Sequence, residues 1–97
     1  MLHEIHKIQL FKIVAPYTLE ILFEDNNYKT INFLPVLKGE MFGPLKNLDC
    51  FNKARLDSEA NTIVWPNGAD FDPALLYNWE HYIAELTERA KQWSIVN

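Results

Sequence analysis

The run from Trp65 to Tyr77, WPNGADFDPALLY, constrains this chain more than any other, because it spells out three backbone states in succession. Pro66 presets φ at the second position of a turn, and Asn67 and Gly68 suit the positions that follow, so a strand ending at Trp65 has to reverse there. Asp70 is placed to accept backbone N–H bonds in the turn after Gly68. Asp72 has the character of an N-cap, and Pro73 suits the first helical position, where its missing donor costs nothing. Strand, turn and helix must therefore follow one another within a short span. Tyr77, off the apolar side of that helix, is expected either to pack beneath the turn at Pro66–Gly68, the preferred reading, or to be exposed to a partner.

The helix so launched is expected to run from Pro73 to about residue 93. At 100° per residue Leu75, Leu76, Trp79, Tyr82, Ile83, Leu86, Ala90 and Trp93 fall within an arc of about 120°. At 1.5 Å per residue it would span about 30 Å, against about 20 Å for a six-residue strand, so its second half is expected to overhang the sheet.

Upstream, the periodicity turns from helical to extended. Tyr17, Leu19, Ile21 and Phe23 alternate with Thr18, Glu20, Leu22 and Glu24, the pattern of a half-buried strand. Asp25-Asn26-Asn27 reads as a turn, and Tyr28 to Phe33 returns with Ile31 and Phe33 on one face. Before them, residues 5–14 are β-rich but the apolar phase slips. Either that strand is buried on both faces or a bulge near Leu10 resets its register. Ala15-Pro16 ends it. These strands predict a three-stranded antiparallel meander. Prolines and glycines between Leu34 and Leu48 imply a helical turn at Pro35–Lys38 and then an irregular segment, with Asn47 or Asp49 capping a short helix through Lys53. Arg55–Asp57 and Thr62–Trp65 bracket a four-residue loop and predict a hairpin.

The expectation is thus one α+β domain over residues 1–97: meander, short helical segments, second β-hairpin and long C-terminal amphipathic helix. Of 97 residues, 48% are hydrophobic and 13% aromatic, enough for a core without disulfides. Cys50 is the only cysteine, the N-terminal run has no apolar signal segment, and no stretch reaches the length of a membrane helix, so the chain reads as cytoplasmic. Residues 1–55 hold seven Lys/Arg against six Asp/Glu, and residues 56–97 two against seven. With basic residues scattered singly, there is no stripe for direct nucleic-acid binding.

Little catalytic chemistry is present. His3 and His6 point to opposite faces of an extended strand, so joint metal ligation is awkward, and they read as two surface histidines. His81 and Glu85 stand at i, i+4 without a second histidine and read as a solvated pair. Cys50 beside Phe51 reads as a small buried residue. Gly39, Gly43 and Gly68 form no phosphate-cradling loop. No catalytic residue, metal ligand or cofactor is assigned. Asp57, Asp70 and Asp72 can converge where hairpin meets helix and form an alternative ligand- or cation-binding site. Against that stand their simpler uses as cap and turn residues.

The order Leu19-x-Ile21-x-Phe23-x-Asp25, then Phe33, Gly39, Phe42-x-x-Leu45, Phe51, Asp57, Ile63-x-Trp65-Pro66-Asn67-Gly68-x-Asp70-x-x-Pro73-x-x-Leu76-Tyr77 resembles the bacterial family called domain of unknown function 2442. The resemblance covers most of residues 5–77. It departs at Asn26, where the family usually has glycine, and at Asn32, where it usually has an acid. It implies an α+β domain with no established activity. It also implies a regulatory or toxin–antitoxin-like pairing, since members are sometimes fused to a helix-turn-helix or encoded beside another small domain.

The functional expectation is a non-enzymatic interaction module. Trp79, Leu86, Ala90 and Trp93 are its candidate partner-binding residues, engaging a protein partner or a second copy. Trp65, Pro66, Asn67, Gly68, Asp70, Pro73 and Tyr77 form an architectural motif.

Overall fold

A computed structural model describes residues 6–85 of the chain. Strands β1 (Ile8–Ala15), β2 (Thr18–Phe23) and β3 (Tyr28–Asn32) form an antiparallel sheet in that spatial order. Helices α1 (Gly39–Phe42) and α2 (Leu48–Phe51) follow, with 3-10 turns at Leu34–Val36 and Gly43–Lys46. A hairpin of β4 (Arg55–Asp57) and β5 (Thr62–Val64) precedes α3 (Pro73–Tyr77). The helical turn expected at Pro35–Lys38 is found slightly earlier, as the 3-10 turn Leu34–Val36, and the segment expected to be irregular holds α1 and the second 3-10 turn. Asn47 is the cap of α2, its side chain accepting from Asp49 N at 2.9 Å.

The phase slip in β1 is a bulge. Ile8 opposes Phe23 and Leu10 opposes Leu22, with a register shift between them. The shift returns Phe11 and Ile13 to the side of Ile21 and Leu19. β1 and β2 are joined through Pro16–Tyr17, where Tyr17 has φ +59°, uncommon for a residue with a Cβ. Two contacts hold it: its hydroxyl donates to Lys46 O at 2.5 Å, and its ring meets Phe51 edge-on at 5.7 Å. The alternation expected from Tyr17 therefore begins one residue later, at Thr18.

The inner face of the sheet, with Leu19, Ile21, Phe23 and Ile31 buried, shares one core with later residues that include Leu37, Leu45, Phe51, Ile63, Trp65 and Leu76. Phe33 is the hub, its ring 5.2–5.9 Å from those of Phe51, Trp65, Phe71 and Trp79. Buried polar atoms are matched within this core. Trp65 Nε1 donates to Phe51 O at 2.9 Å, and Thr62 Oγ1 donates to Phe71 O at 2.6 Å.

The long C-terminal helix is the main correction. α3 ends at Tyr77, because Asn78 leaves helical geometry at φ −107°, ψ 35°. Its side-chain Nδ2 donates to Ala74 O at 2.9 Å, the local competition with the backbone that makes asparagine a helix breaker. Helix resumes over residues 79–85, with His81 N and Tyr82 N both donating to Asn78 O. The expected overhang beyond residue 85 lies outside the described residues. The break at Asn78 lets Leu76 and Trp79 enter the core while Tyr77 reaches the β2–β3 turn.

Candidate functional site

The motif residues form a tight reversal. Gly68 N donates to Trp65 O and Trp65 N donates to Ala69 O, both at 2.9 Å, and Gly68 has φ +88°. A three-residue hairpin loop of this kind places its glycine in the left-handed region. Asn67 holds the loop in two directions: Oδ1 accepts from Ala69 N at 3.1 Å, and Nδ2 donates to Met41 O at 2.8 Å. The N–H after Gly68 is thus met by Asn67, in place of the expected Asp70. Asp70 instead continues the hairpin through a backbone bridge to Val64.

Tyr77 does not pack under this turn. It reaches the β2–β3 turn, where its hydroxyl donates to Asp25 Oδ2 at 2.5 Å and accepts from Asn27 Nδ2 at 2.7 Å. Its ring stacks on His6 at 3.9 Å and meets Phe23 edge-on at 5.0 Å. The Tyr77 hydroxyl, with the Asn27 N–H, holds the Asp25 carboxyl below its ordinary range. Beside this cluster Lys29 Nζ meets Glu80 at 2.9 Å and lowers that carboxyl too. Both perturbed acids therefore serve attachment of the helical residues Tyr77 and Glu80 to the sheet and its β2–β3 turn.

The three candidate ligand-binding aspartates are differently employed. Asp57 Oδ1 accepts from Glu59 N at 2.9 Å in the β4–β5 loop, and Asp72 Oδ1 accepts from Ala74 N at 2.8 Å as the cap of α3. Among the described residues no group of three or more acids, histidines or cysteines is arranged to hold a metal ion. His81 and Glu85 are 3.4 Å apart and both exposed, as expected of a solvated pair.

Trp79, the first candidate partner-binding residue, is 7% exposed and packs on Phe33, Phe71 and Tyr82. It belongs to the core and offers no surface for docking. Leu86, Ala90 and Trp93 lie outside the described residues.

Two surface features stand apart from these attachments. On the sheet face away from the core, Leu10 opposes Leu22, which in turn opposes Tyr28. This apolar row crosses all three strands, with Leu10 48% and Tyr28 62% exposed, and the next row is Lys12, Glu20 and Thr30. Cross-strand register reveals it; no single strand's pattern does. The second feature is a pocket of about 310 Å³ lined by Pro44, Leu45, Cys50, Lys53, Pro66 and Asn67. Its walls come from the second 3-10 turn, α2 and the motif loop.

No helix among the described residues is long and apolar enough to cross a membrane. Neither curated proteins nor solved structures yield a match to the chain. Residues 11–82 match the family described as "Protein of unknown function (DUF2442)", a span that takes in most of the meander, α1, α2, the Trp65–Tyr77 motif and Trp79. The chain belongs to the DUF2442 family.

Proposed function

We propose that the domain is a non-enzymatic cytoplasmic interaction module, which docks a second protein chain on the outer face of the β1–β3 sheet. The observation that carries this reading is the register-matched row Leu10–Leu22–Tyr28. Single exposed apolar residues are ordinary, but a contiguous row across three strands is the kind of surface that interaction sites use. The adjoining Lys12–Glu20 pair, 3.4 Å apart, supplies a polar rim beside it. The reading also fits a chemistry in which perturbed acids and caps are committed to architecture.

Analytical ultracentrifugation, joined to affinity capture from the native host, tests it. The expected result is self-association or one stoichiometric partner, lost on Leu10→Glu or Tyr28→Glu while the thermal midpoint holds. A strict monomer that retains no partner would count against the module, and an association indifferent to both variants would place the interface elsewhere.

A further inference from the structure

The pocket beside the Trp65–Gly68 loop is independent of the sheet face and has a composition of its own. Pro44, Leu45 and Pro66 give it apolar walls, and Cys50 adds a small polarisable one. Its one charged lining residue is Lys53, which is exposed and makes no ion pair among the described residues. A lysine so placed lays its methylene stem along apolar surface and keeps its ammonium at the wet rim. Asn67 contributes shape more than recognition, since its amide is already engaged by Met41 O and Ala69 N. The floor is firm: α2 is capped by Asn47, and the loop is closed by both backbone groups of Trp65, which bond Gly68 and Ala69.

An apolar cleft with one convergent charge is the usual design of a small-molecule site, and about 310 Å³ stands at the lower end of the size range. At roughly 30 Å³ per water-sized unit it takes about ten non-hydrogen atoms. We propose that this pocket binds a small carboxylate with an apolar body, the body seated against Pro44, Leu45 and Pro66 and the carboxylate paired with Lys53. The motif loop then has a second use: Pro66, chosen for its turn, also forms a wall. Such an ion pair at a solvent-exposed rim adds at most about 1 kcal/mol, so the acid is preferred over its neutral amide by up to about five-fold.

Titration of the full chain with phenylacetate and with phenylacetamide, followed by amide chemical shifts and by the rate of Cys50 alkylation, decides the matter. Phenylacetate is expected to shift the amides of Leu45, Cys50, Lys53 and Asn67 and to slow alkylation several-fold at saturation, with phenylacetamide weaker by about three- to five-fold. Lys53→Met should equalise the two ligands, and Lys53→Arg should restore the preference for the acid. Because Lys53 is exposed, neither variant threatens the fold. Absence of shifts at millimolar ligand, shifts clustered elsewhere, equal affinity for acid and amide in the native chain, or a preference that survives Lys53→Met would each overturn the proposal.

Discussion

The Tyr77 hydroxyl donates to Asp25 Oδ2 at 2.5 Å across 52 positions of sequence, and Asn27 Nδ2 donates to both oxygens. This clasp joins the turn between β2 and β3 to the last residue of α3. It is the only place where the two ends of the family's residue pattern touch through polar atoms among the hydrogen bonds described.

The clasp makes stability depend on acid. A carboxyl whose folded pKa lies below its unfolded value of about 3.9 stabilises the fold fully above that value, and the contribution is lost as pH falls through the folded pKa. Tyr77→Phe removes the largest cause of the depression. Thermal unfolding from pH 6 to pH 2 should show the variant less stable at pH 6 and the gap closing below pH 4. A constant gap across the range would separate the clasp from the titration.

Trp79 is a core residue, and its truncation should behave as one. Trp79→Ala removes ring contacts with Phe33, Phe71 and Tyr82 and is expected to cost about 3–5 kcal/mol in denaturant unfolding. A loss below about 1 kcal/mol would return Trp79 to the surface.

Gly68→Ala isolates backbone conformation from packing. A Cβ at this position meets nothing within 4 Å, yet φ is +88°. The expected loss is about 1–2 kcal/mol, entirely from the left-handed backbone. Chemical denaturation measures it, and an unchanged midpoint would mean that the loop relaxes at no cost.

Asp72→Ala should lower stability by about 1 kcal/mol through the lost N-cap. Millimolar calcium or magnesium is expected to leave the thermal midpoint unchanged in both forms, because Asp57 and Asp72 each serve a neighbouring backbone N–H. A cation-dependent rise abolished by Asp72→Ala would revive the acidic site.

Local chemistry was the legible part of this sequence. Gly68, Asp72, Asn47 and the Asp25–Asn27 turn act on backbone within a few residues, so their roles follow from side-chain type alone. Alternation in β2 and the slip in β1 were equally direct signs of burial and bulge. Long-range destinations were not legible. Tyr77 lies off the apolar arc of an ideal helix, and only the break at Asn78 allows it and Trp79 to be used by the same domain. An amphipathic pattern cannot show that break, since it records where apolar residues fall and not how an asparagine side chain bonds the backbone. The pocket and the Leu10–Leu22–Tyr28 row arise from juxtaposed segments and therefore had no signature within any one segment.

The position of Phe33 at the aromatic hub has a consequence for a chain emerging residue by residue. The meander closes through short turns and can pair as soon as β3 is free, but the rings that shield Phe33 arrive in the order Phe51, Trp65, Phe71, Trp79. Until the last of them leaves the ribosome, the nascent sheet carries an unshielded greasy side, the condition under which chaperones engage and neighbouring chains stick. A chain ending before Trp79 would leave Phe33 short of one of these four ring neighbours.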